Sequence, residues 1–299
     1  MQETGWLWAF FTLIAAASQT ARNALQRELT ATLGTVGATH VRFLFGFPFA
    51  LISLAAVLGF TGASLPRVGW SFLPWIALGA GAQIAATAMM LAAMGERSFV
   101  VAVAYIKTEP VQVALFGLIF LGDALTPGIV AAILIATTGV VVTSLKPSSA
   151  PGASLRPTLL GIASGGMFAL SAIGYRGAIL NLDRPDFVVA ATFTLVVGLV
   201  GQAAALSAYL MLREPRVMRD ILAAWRPSLV AGFLGALASQ FWFLAFAIAT
   251  AASVRTLALV EVLFAQAISR FVFGQKTTPR EVLGIVLVVA GVALLLWAH

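Results

Sequence analysis

Residues 109–142, EPVQVALFGLIFLGDALTPGIVAAILIATTGVVV, and residues 261–294, EVLFAQAISRFVFGQKTTPREVLGIVLVVAGVAL, read as two copies of one unit. A shift of 152 positions lays Glu109 on Glu261, Gly122 on Gly274, Pro127 on Pro279 and Gly139 on Gly291, with no gap over 34 positions. Thr126/Thr278, Val130/Val282, Ile133/Ile285 and Val140/Val292 coincide as well. Each copy opens on a glutamate set in an apolar stretch. A carboxylate is expensive in hydrocarbon, so one at the equivalent place in both halves points to a shared pathway through the molecule.

Outward from these copies the whole chain is apolar. Of 299 residues, 61% are hydrophobic and only 10% charged, where soluble domains average about 25% charged. Ten apolar runs have the ~20 residues a helix needs to cross ~30 Å of hydrocarbon. They lie near 5–26, 35–59, 72–94, 98–121, 126–145, 157–180, 186–212, 227–248, 251–273 and 279–297. None shows the short alternation of a β-barrel strand, so the expected fold is an all-α membrane protein whose helices satisfy their own backbone. These runs use nearly all of the chain, which leaves no room for a soluble domain.

The segment Lys146–Pro157, KPSSAPGASLRP, reads as a linker halfway along. It divides the chain into a first repeat (1–147), a linker (148–156) and a second repeat (157–299). Five spans per repeat is an odd number, so the second repeat enters the membrane from the opposite side. That makes ten helices as two inverted five-helix repeats about a two-fold axis in the membrane plane.

The N-terminal Met1-Gln2-Glu3-Thr4 lacks the basic region of a cleaved signal peptide, so the first run is expected to be a permanent span. With no cysteine there are no disulfides or thiolate sites, and no cofactor or metal is expected. The net charge of +7 is matched to anionic lipid headgroups rather than nucleic acid, since no basic cluster is interleaved with aromatics on a soluble face. Outside the spans, Arg27, Arg97, Lys146, Arg156, Arg213, Arg216, Arg219, Arg226, Lys276 and Arg280 fall on one side, and Arg67 and Arg184 on the other. The positive-inside rule places the richer side in the cytoplasm and both termini outside.

Candidate functional residues follow from depth in the spans. Glu109 sits midway along the fourth run with Tyr105 and Gln112 on its helical face, and Pro110 beside it is expected to bend the helix. Glu261 is central in the ninth. The pair can line a midplane cavity and take protons or a substrate ammonium. The alternative is an internal ion pair, with Lys107 or Arg255 as neutralising partner and the glutamates as braces. Gln83 and Gln240 form a second repeated pair that can bind a carboxylate or amide, or tie helices together. Tyr105, Tyr175 and Trp242 can wall an apolar pocket or simply pack. His40 and Tyr175 are candidates for gating or proton transfer, although an ordinary hydrogen bond for His40 and a headgroup contact for Arg42 are the plainer expectations. Arg22 and Arg176 read as snorkelling residues near span ends. Trp6, Trp8, Trp70, Trp75, Trp225 and Trp297 read as interfacial anchors.

These residues resemble the drug/metabolite transporter superfamily, in its ten-span branch of two EamA-type repeats. The resemblance is carried by Glu109-Pro110-Val111, Phe120-Leu121-Gly122-Asp123 and Gly139. Glu261-Val262-Leu263, Gly274-Gln275-Lys276 and Gly291 echo them, and Arg42-Phe43 also fits. In overall look the chain is most similar to YddG-type amino-acid exporters. The resemblance implies an exporter of small metabolites in the bacterial cytoplasmic (inner) membrane, working by alternating access; the chain is expected to be functional as a monomer. It also implies cytoplasmic termini, against the charge bias. Asp123 stands where the family usually has glutamate. An intramembrane enzyme is the rival class, yet no G-x-S-x-G or H-E-x-x-H occurs. A channel would need a ring of like groups that two different halves supply poorly.

Overall fold

The structure, a computed structural model, describes residues 6–96, 106–144, 156–183, 186–264, 266 and 278–298, and there the regular elements are helical. They are α1 (Leu7–Leu44), α2 (Phe47–Thr61), α3 (Phe72–Glu96), α4 (Glu109–Phe116), α5 (Pro127–Ser144) and α6 (Arg156–Leu180), then α7 (Phe187–Arg213), α8 (Pro215–Ala223), α9 (Trp225–Ile248), α10 (Ala251–Leu257) and α11 (Pro279–Ala298).

The α1 stretch holds two helical arms broken at Gly34 (φ 66°, ψ 176°), a backbone state in which a Cβ would be strained. The side-chain amide of Gln26 donates to the carbonyl of Ala38 at 2.9 Å, which a straight helix would hold about 18 Å away. The chain therefore turns back on itself at Gly34.

Six stretches are long and apolar enough to cross a membrane: Leu7–Thr61, Phe72–Gly95, Thr158–Leu180, Phe187–Arg213, Trp225–Ile248 and Pro279–Ala298. The first has 55 residues and contains the reversal. Two shorter apolar helices, Glu109–Leu121 and Pro127–Thr143, complete the described apolar elements. The fourth and ninth expected spans differ most from a plain helix. In the fourth, Lys107 and Thr108 form a turn, α4 starts at Glu109 with Pro110 in its first turn, and a π-turn over Gly117–Leu121 ends at Gly122 (φ 67°). Proline removes an amide donor and fits the first turn of a helix, so the break falls where Pro110 dictates. In the ninth, α10 tightens into a 3-10 turn, Ala258–Val260, immediately before Glu261.

Three helix pairs dominate the packing: α1 with α9, α3 with α6, and α5 with α11. Small residues let backbones approach closely, as membrane helices require when lipid supplies no hydrophobic drive. A Cβ on Gly139 of α5 would sit 2.6 Å from the amide nitrogen of Val288 in α11, and one on Gly291 of α11 would sit 2.6 Å from that of Ala136 in α5. Gly174 of α6 lies equally tight against Gly79 of α3. The interior is lined by alanine and bulky apolar side chains such as Phe43, Phe243 and Phe246.

Much of the outer surface is apolar too. Ile52, Phe60, Phe120, Leu134 and Val286 are all exposed, as expected of a surface that faces hydrocarbon. Trp6, Trp70, Trp225 and Trp297 are exposed and suit interfacial anchors, but Trp8 is buried in the core. Trp75 is half-buried, its ring pressed against Gly177. Both turn toward a neighbouring helix rather than the membrane surface. An antiparallel bridge, Val68 to Leu182, ties the loop after α2 to the one after α6.

Candidate functional site

Glu109 opens α4, so its carboxylate sits at the positive end of a short helix. Arg255 occupies the last turn of α10, the negative end of its helix. The two ends meet, and Arg255 Nε lies 3.0 Å from Glu109 Oε1. The reciprocal pair joins Lys107, in the turn before α4, to Glu261, just after the 3-10 turn. Each cation of one half thus neutralises the glutamate of the other. The glutamates are related by the 152-residue shift, but Arg255 lies one helical turn earlier in its copy than Leu259, the counterpart of Lys107. The internal ion-pair alternative is therefore realised, in crossed form. All four side chains are buried.

Trp242 of α9 joins this group. Its ring lies 4.3 Å under the Arg255 guanidinium, and its indole Nε1 donates to Gln19 Oε1 at 3.1 Å. Around the ion pairs closes a cavity of about 20 Å³, lined by Gln19, Arg22, Asn23, Met90, Ile106, Lys107, Glu109, Phe168, Arg255 and Glu261. That space takes roughly one water molecule. Elements of both halves meet at it.

Of the residues expected from sequence, Glu109 and Glu261 line this cavity and Trp242 backs it. Tyr105 lies outside the described residues. Gln83 belongs to a separate network: its Oε1 accepts from Tyr175 Oη at 3.1 Å and from Gln202 Nε2 at 3.0 Å, tying α3, α6 and α7. Gln240 of α9 donates to Thr192 of α7 at 2.8 Å. His40 Nε2 shares a hydrogen bond of 3.0 Å with Ser207 of α7.

The arginines depart from expectation. Arg22 and Arg42 are 0% and 1% exposed, and neither snorkels to a headgroup. The reason is the Gly34 turn. It lies twelve residues beyond Arg22, about 18 Å along a helix, and eight before Arg42, about 12 Å, so both sit deep in the bundle. The expected end of the first span near residue 26 hid this. Arg42 donates to Thr87 at 3.3 Å and Ser239 at 3.2 Å. Arg176 is also turned inward: it donates to the carbonyls of Phe246 and Ala249 at the end of α9 and reaches Asp123 at 3.3 Å. Gln19 and Asn23 were not singled out in the sequence at all. Their spacing with Arg22 on one helical face was the only signal available.

Residues 156–297, slightly less than half of the chain, match the EamA-like transporter family. No curated protein matches the chain. A solved structure described only as the crystal structure of a protein superposes over 98% of this chain and 96% of its own, with a TM-score of 0.71 at 17% identity. At that identity the likeness shows a shared fold.

Proposed function

We propose that the chain is a secondary transporter that exports small metabolites, neutral and aromatic amino acids first among them, across the bacterial cytoplasmic membrane by alternating access. One observation carries the reading: two buried ion pairs, each crossing between the halves, close over a cavity where both halves meet. Four buried charges are costly to hold in a membrane protein, and apolar side chains would serve a fold that had only to be stable. A transporter does, because a substrate's own charges can exchange with one member of a pair as the site opens, so no buried charge is left alone during the cycle. The EamA match over the second half supports the same reading.

The helix contacts support ten spans in two inverted repeats. If the two arms of α1 and the segment after it are spans one and two, then Phe11 against Phe241 and Gln19 against Trp242 set span one on span eight, and α3 on α6 is span three on six. These are one contact with the halves exchanged, and α5 on α11 is a contact of equivalent spans. Gly139 against Val288 and Gly291 against Ala136 are likewise exchanged by the 152-residue shift, as a two-fold axis requires.

Counterflow of labelled phenylalanine, threonine and alanine into proteoliposomes, with and without a pH gradient, tests the function. Saturable counterflow of at least one is expected. No counterflow of any amino acid discards the substrate class, and a rate that follows the pH gradient makes the export a proton exchange.

A further inference from the structure

The charges around this narrow cavity do not balance. Its lining holds three cations, Arg22, Lys107 and Arg255, against two carboxylates, Glu109 and Glu261. Both carboxylates are engaged, by Arg255 and Lys107. Arg22 is left over. Fully buried, it donates through Nε and Nη2 to the neutral amide oxygen of Asn23 at 3.2 and 2.6 Å, and its Nη1 is buried with no acceptor.

Arg42 adds a second surplus charge. Its stem and that of Arg22 both rest on the bare face of Gly235, where a Cβ would meet them at 3.0 and 3.4 Å. Its guanidinium reaches two hydroxyls, and its Nε finds no acceptor. Among the described residues no further acid comes to their aid. Asp123 is engaged by Arg176, and the other acids whose side chains are described are exposed or half-exposed. A buried charge is stable only when paired, and the one water the cavity has room for supplies a hydrogen bond but no opposite charge.

We infer that this cavity holds a subsite for the anionic group of the substrate, a carboxylate gripped by Arg22, so that organic anions are preferred over zwitterions. This rests on the transport reading of small metabolites and, within that class, moves organic anions ahead of the amino acids. Among the cavity cations Arg22 is the one without an ion pair, it keeps a buried donor to spare, and a guanidinium presents paired N–H groups in the plane a carboxylate accepts. An anion seated there leaves both ion pairs intact. A zwitterion would bring an ammonium into a site already carrying excess positive charge, and a cation would bring nothing to offset it.

The test uses the whole protein in detergent and two frames of like shape: 3-phenylpropanoate, phenylalanine and phenethylamine, then propanoate, alanine and ethylamine, with sodium chloride as the inorganic control. Thermal stabilisation is titrated for each. In at least one frame the carboxylate should act at roughly tenfold lower concentration than the zwitterion, with the amine and chloride inert. Arg22→Gln should lose that response, and Arg22→Lys should keep part of it. Without ligand, Arg22→Gln should melt no lower than the parent, because it removes a charge that lacks a partner. No response to either carboxylate, parity with the zwitterions, equal stabilisation by chloride, or a parental response in Arg22→Gln overturns the inference. Counterflow of the amino acids alongside any of those results leaves the transport reading standing. Absence of all counterflow with a clear carboxylate response does the reverse.

Discussion

Glu109 and Arg255 sit at opposite helix ends, 3.0 Å apart, and are buried together. Removing one partner strands the other. Glu109→Gln should therefore lower the melting temperature, by an amount corresponding to about 3–5 kcal/mol for a broken buried pair, and reduce counterflow roughly tenfold or more. The double variant Glu109→Gln with Arg255→Met should recover most of the stability, since no lone charge remains. Recovery of transport along with stability would make the pair a brace; recovery of stability alone would make Glu109 part of the pathway. The glutamates were legible in the sequence because a repeat singles them out, and Lys107 and Arg255 because they lie close by in the chain. Arg22 was not, because a polar stretch, Gln26-Arg27-Glu28, looked like the end of a span while the helix ran on to Gly34.

Among the elements, the α5–α11 pair is the clearest case of sequence dictating packing. Gly139 and Gly291 match in the two repeats, and each lies under the partner's backbone. Gly139→Ala should force the helices apart and cost about 1–3 kcal/mol, the usual range for overpacking, whereas Gly81→Ala, where a side chain meets open space, should be neutral or slightly stabilising. Denaturation midpoints of the two variants check this, and equal midpoints would refute close packing at Gly139. Hydropathy located the helical material well but not its interruptions. Apolar composition is the same on both sides of Lys107–Thr108, and only Pro110 marked the break. The tightening before Glu261 has no such mark, since Ala258-Leu259-Val260 is as helical in composition as its surroundings.

At the scale of the molecule, charge is unevenly placed. The amphipathic α8 packs on α1 close to the Gly34 turn, with Val217 and Ile221 over Gly37. That end carries exposed Arg27, Arg213, Arg216, Arg219 and Arg226. The opposite end, where Val68 meets Leu182, has Arg67 sharing a cleft with Asp183 and Asp186. The positive-inside rule counts basic residues near span ends and gives acids little weight, so the arginine-rich end should face the cytoplasm. With the ten spans proposed above, both termini should then lie outside, opposite to the arrangement the family resemblance implies. A reporter that fluoresces only in the cytoplasm, fused after His299, should stay dark, and bright fluorescence would return the orientation to the family's. Replacing Arg213, Arg216, Arg219 and Arg226 with glutamine removes four of the basic residues that set the bias and should light the reporter in a measurable fraction of molecules. A reporter that stays dark through all four substitutions would mean that the loops around α8 do not decide the orientation.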